Sequence, residues 1–134
     1  MFGSAPVDRL DSLELHLRRL VHAARRGGTQ LVLVEPQHRF SDTIPDAERQ
    51  WLRALERMIP KASGRMLIEF SALAAERIRT VAVDSGVAIF RPDFPIDSFR
   101  PRFFADATHF TDSGAALVAA SVAEEVGRLL ACGK

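Results

Sequence analysis

Two short stretches constrain this chain most: residues 31–34 (LVLV) and 87–90 (VAIF) are apolar at every position, and a proline follows each within two residues. A run with no polar alternation suits a strand covered on both faces, as in a parallel sheet. Everything between and around these runs has helical spacing. Over residues 7–26, Leu10, Leu13, Leu17, Leu20, Val21 and Ala24 share one helical face, and Gly27-Gly28 stops the helix. A second helix is expected over about 46–59, with Trp51, Leu52, Leu55 and Ile59 on one side and Pro60 as its stop. A third runs from Gly64 or Arg65 to Ser85, with Leu67, Phe70, Leu73, Ala74, Ile78, Val81 and Ala82 inward and Gly86 at the C-cap. The last opens near Thr111 or Asp112 and continues to about Leu130, with Ala116, Leu117, Ala120, Val122, Ala123, Val126 and Leu130 apolar. Thr111 is its expected N-cap, and Asp112 suits the positive end of the helix dipole.

The order helix, strand, helix, helix, strand, loop, helix predicts an α/β layered fold in a single domain, residues 1–134. Two strands are few for such a sheet, and the apolar edge of strand 31–34, from Leu31 to Val34, asks for a cover. Eighteen basic and 17 acidic residues are well mixed, which leaves no basic stripe for nucleic acid or an anionic membrane. No apolar run approaches the roughly 18 residues of a membrane span. The composition is that of a soluble chain, no signal peptide is visible, and nothing assigns a compartment. The one cysteine, Cys132, rules out a disulfide framework and reads as an incidental thiol near the C-terminus.

In open parallel sheets reactive groups gather beyond the carboxyl ends of the strands. Two segments here reach that rim, EPQHRF (35–40) and the Pro-rich loop that ends in DATHF (106–110). An Asp beside a His fixes the tautomer of the imidazole and stabilises its charged form, so Asp106 and His109 have the residue types of an acid–base pair. The simpler reading of that spacing is an Asp that caps a turn and a polar loop histidine. What speaks for chemistry is the surrounding pattern, FADATHFTDSGAALVAASVAEEV: His, apolar residue, capping residue, Gly, then an Ala-rich amphipathic helix.

This pattern resembles the last signature block of the SGNH hydrolases, the GDSL esterase/lipase family. Upstream, LDSLELHLRRLVHAARRGGTQLVLVEP and ALAAERIRTVAVDSGVAIFRPD resemble the helix–strand pairs that precede that block. The resemblance covers nearly the whole chain but only the family's C-terminal half. It implies a flavodoxin-like parallel sheet with flanking helices, incomplete at its N-terminal side. It also implies hydrolysis of a small ester or acylated substrate through a Ser-His-Asp triad without a cofactor, with His109 as base and Asp106 as its partner.

The family's Gly-Asp-Ser nucleophile block has no counterpart here, and the chain contains no Asn to serve as its Asn oxyanion donor. Asp11-Ser12-Leu13 spells part of the motif, but Leu10, Leu13 and Leu17 place Ser12 within a helix rather than on a strained, exposed turn. Ser63, Ser85 and Ser113 stand where helices begin or end, Ser71 and Ser121 lie mid-helix, Ser41 and Ser98 lie in turn-rich loops, and Ser4 is near the N-terminus. No nucleophile is identified.

Three readings follow. The chain is part of an acyl hydrolase whose missing half supplies the serine and covers strand 31–34. Alternatively, it is a non-catalytic binding or homodimeric assembly module that pairs through that edge. In the third, Glu35, His38, Asp106 and His109 converge on a metal. His38 and Arg39 are substrate-side candidates, with Arg100 and Arg102 flanking the same rim. The simpler reading of the three arginines is that they solvate the loops, and that of His38 is a solvated loop residue or a substrate-side contact rather than a metal ligand. Trp51, Phe99, Phe103, Phe104 and Phe110 are expected to pack rather than to bind a ligand. His16 and His22 receive no role.

Overall fold

The computed structural model describes residues 5–40, 46–59, 61–94 and 100–132. Ser4, Ser41, Ser98, Phe99 and Pro60, and the side chains of Arg100 and Cys132, lie outside the described residues. Helix α1 (Val7–Arg26) leads to β1 (Val32–Val34); a 3-10 turn (Asp46–Glu48) opens α2 (Arg49–Met58); α3 (Gly64–Ser85) precedes β2 (Ala88–Phe90); a short α4 (Arg100–Phe103) and α5 (Asp112–Cys132) complete the order.

The helix ends follow from local chemistry. Ser63 caps α3 by accepting a hydrogen bond from the Met66 amide, and Gly86 ends it with φ +57°, a conformation that costs glycine nothing. Arg25 and Arg26 occupy the last turn of α1, where cations suit the dipole, and its stop at Gly27 is the expected one.

β1 and β2 pair in parallel, with Val32 opposite Ala88, Leu33 opposite Ile89 and Val34 opposite Phe90. The expected layered, flavodoxin-like α/β sheet does not form. Among the described residues 68% are helical and 7% in strands, and the sheet has two strands only. The physical reason is strand supply. Each apolar run contributes three paired residues, Leu31 and Val87 staying outside the ladder, so there is too little sheet for helices to sandwich.

What forms instead is a helical assembly around one strand pair. Val21, Leu33, Val81 and Ala82 are its buried centre, with Leu17, Leu31, Ile78, Val87 and Ile89 packed around them. α1 and α3 lie side by side. Arg77 pairs with Asp11 at 3.2 Å and Glu14 at 2.9 Å, and Arg18 with Glu14 at 2.8 Å and Asp84 at 2.7 Å. Partners advance along both helices together, from Asp11–Arg77 to Arg18–Asp84, so α1 and α3 run parallel. The Arg18 hydrogen bond and the nearby Arg77 hold the Glu14 carboxyl below its ordinary pKa.

α5 is less well covered. Of its expected apolar face, Leu117 and Val122 are half-buried while Ala116, Ala120, Ala123, Val126 and Leu130 are exposed. Among the described residues no helix is long and apolar enough to cross a membrane.

Candidate active site

The loop that follows α4 is built on aromatic packing. Phe104 is 1% exposed, and its ring lies 5.0 Å from Phe110 and 5.2 Å from Phe94; Phe94 also lies 5.6 Å from Phe103 and 5.8 Å from Phe110. Phe104 and Phe110 form an isolated antiparallel bridge, closed by Ala105 N–H donating to the His109 carbonyl at 2.8 Å and Thr111 N–H to the Phe103 carbonyl at 3.0 Å. Residues 105–109 are thus a tight loop held at its base by packed rings, of which Phe104 is buried and Phe110 half-buried. Thr111 then caps α5 as expected. Its hydroxyl accepts from the Gly114 amide at 3.2 Å and donates to the Arg102 carbonyl at 2.8 Å.

Within that loop Asp106 and His109 meet. Asp106 Oδ2 is 2.7 Å from His109 Nδ1, while Oδ1 accepts the Thr108 and His109 amides, each at 2.9 Å. Capping the turn and pairing with the histidine use different oxygens of one carboxylate, so the turn-capping role of Asp106 does not exclude its contact with His109. The two backbone donors, then the imidazole, pull the carboxyl pKa down from 3.8 to about 2. An ionised carboxylate only accepts, so Nδ1 carries the proton toward it and the lone pair of neutral His109 lies on Nε2. The His109 side chain is 79% exposed and that of Asp106 51%. The pair therefore has the tautomer of a general base, and among the described residues no wall excludes water from it.

No described serine hydrogen-bonds to His109. Ser71 and Ser121 donate to the carbonyls of Leu67 and Leu117 in their own helices, Ser63 is a cap, and Ser12 sits inside α1.

The other rim segment does reach this loop, through backbone. Arg39 N–H donates to the Ala107 carbonyl at 3.0 Å. The Arg39 side chain is not offered to a substrate as expected: it is 7% exposed and turned inward. Its Nη1 donates to the Phe104 carbonyl at 3.0 Å, its Nη2 to Glu48 Oε1 at 3.0 Å, and its Nε to Glu48 Oε2. The guanidinium also lies 4.6 Å from the Trp51 ring centroid. Removing one partner of such a buried pair costs roughly 3–5 kcal/mol, because the other charge stays buried alone. No spacing rule links Arg39 to Glu48, so the sequence carried no signal for this clamp. Phe94, on which the loop's rings pack, was equally hidden in a Pro-rich stretch.

Glu35 is buried beside the end of β1, donates its amide to the Phe90 carbonyl at 2.9 Å, and pairs with Arg79 at 2.9 Å and, more loosely, Arg91 at 3.8 Å. His38 is half-buried, and Arg102 is exposed. The expected metal set is not assembled. Among the described residues no three His, Cys, Asp or Glu side chains converge, because Glu35 faces arginines and Asp106 is committed to its own loop.

No family model, curated protein or solved structure matches this chain.

Proposed function

We infer that this chain supplies the acid–base half of a serine acyl hydrolase, acting on a small ester or acylated substrate with a nucleophile contributed from outside these 134 residues. The observation that carries the reading is the 2.7 Å contact between His109 Nδ1 and an Asp106 carboxylate already anchored by two amides, which leaves Nε2 outward on an exposed ring. In the reaction, Nε2 takes the proton of a serine hydroxyl as its oxygen attacks the ester carbonyl. Asp106 stabilises the imidazolium, which then protonates the departing alkoxide; water and the same shuttle release the acid. The exposure of His109 fits a site that a second polypeptide segment must complete and dry.

A second reading, a non-catalytic homodimeric or binding module, draws on Val34. It is 43% exposed on a strand that, among the described residues, has a partner on one side only. One experiment separates the two. The chain is expressed together with the coding region that adjoins it, and turnover of p-nitrophenyl acetate and labelling by a fluorophosphonate are measured. The hydrolase reading expects a labelled serine and a loss of turnover on the order of 10³-fold or more on His109→Ala. No labelling, or turnover unchanged by that substitution, overturns it and leaves the assembly reading.

A further inference from the structure

We propose that Arg39 is the positioning residue of the Asp106–His109 pair, clamping from beneath the two peptide groups whose other ends hold the pair in place. The inference rests on the acid–base role given to Asp106 and His109 above. Its physical content lies in two peptide planes. The Ala107 carbonyl accepts the Arg39 amide, and the N–H of that same peptide unit, on Thr108, donates to Asp106 Oδ1. The Phe104 carbonyl accepts Arg39 Nη1, and the N–H of that unit, on Ala105, closes the loop on the His109 carbonyl. Each plane is thus bonded at both ends, with Arg39 on the carbonyl side and the catalytic loop on the amide side. Such chains polarise one another and strengthen each bond.

Arg39 is itself held. Glu48 takes two of its donors, and Trp51 covers its face at 4.6 Å. A planar fork with several donors is what lets one side chain bind Glu48 on one side and a carbonyl on the other. A lysine has no such fork. The burial of the Arg39 side chain, 7% exposed with its donors taken by Glu48 and the Phe104 carbonyl, separates this role from substrate contact.

The test reads the histidine directly and needs no turnover. Two-bond ¹H–¹⁵N spectra of the chain, at a pH where the imidazole is neutral, report the His109 tautomer. The native protein is expected almost wholly in the Nδ1–H form, and Asp106→Asn calibrates its loss. Arg39→Lys removes the Nη1 bond to the Phe104 carbonyl and keeps the backbone bond to Ala107. The Nε2–H population is then expected to rise by up to about tenfold, the most that one lost charge-assisted hydrogen bond can transmit. Glu48→Gln should move it in the same direction by less, with helical content unchanged in both.

A native tautomer in a folded Arg39→Lys protein overturns the proposal. If that variant does not fold, Glu48→Gln decides. If neither folds, Arg39 holds the fold alone and the proposal falls. A tautomer that responds to Arg39 in a protein whose completed form hydrolyses nothing would refute the hydrolase reading and spare the clamp. His109-dependent turnover with an Arg39-independent tautomer would do the reverse.

Discussion

Asp106 holds three partner atoms within one short loop, and acid is the means to see it. With its folded pKa lowered from 3.8 to about 2, its contribution to holding the loop is fully present above about pH 4 and is lost as pH falls through about 2. Because the carboxylate is half exposed, water screens much of that contribution, and the effect is local ordering of residues 105–109 rather than global stability. The amide resonances of Thr108 and His109, both bonded to Oδ1, should therefore titrate together with a midpoint about 2. A midpoint near 3.8 would mean that the carboxylate is not anchored as described. The Asp-x-x-His spacing was legible in the sequence because a three-residue reach is what a turn-capping carboxylate needs. Arg39 was legible only as a charge near the rim, since its partners Glu48 and Phe104 come from segments that no local pattern ties to it.

Elements whose ends carry their own chemistry were read closely. α1 and α3 start and stop where the Gly27, Ser63 and Gly86 signals put them, and Thr111 caps α5. α4 was missed, because four residues with a proline at the second position give no periodicity. Yet α4 determines a glycine that sequence reading treated only as part of a motif. A Cβ on Gly114 would sit 2.1 Å from the Phe103 carbonyl oxygen at the end of α4. That atom is backbone and bonded to the Thr111 amide, so it cannot give way without opening the base of the 105–109 loop. Gly114→Ala should therefore destabilise by about 1–3 kcal/mol in urea denaturation, although alanine is the better helix former. Gly127, on the same helix with nothing within 4 Å of a Cβ, is the control: Gly127→Ala should stabilise by up to about 1 kcal/mol. Equal and positive effects at both sites would show that α5 does not press on α4.

At the scale of the whole molecule the order of elements misled. Alternation of helices and strands suggests layers, but the number and length of strands decide whether layers exist, and two three-residue strands support cover on little more than one face. Stability is accordingly uneven. α1 and α3 share the buried cluster around Val81 and are joined by ion pairs along their length. α5 is fixed at its first turn by Thr111 and Gly114, then runs past β2 with gaps beside it. Ser121, Glu124, Glu125 and Arg128 border a cleft of about 260 Å³ with Phe90, Arg91 and Asp93; Leu129 borders another of about 320 Å³ near Val21, Leu31 and Val87. Its alanines favour a helix without burial, so it stays helical while contributing little to the core. Amide hydrogen exchange should then show a gradient. Residues 75–82 of α3 are expected to exchange slowest, residues 115–119 of α5 next, and residues 122–131 fastest of the three by at least about tenfold, as partial opening there exposes little apolar surface. Uniform protection of α5 at the level of α3 would mean that the gaps beside β2 are closed in solution and that the helix belongs to the core.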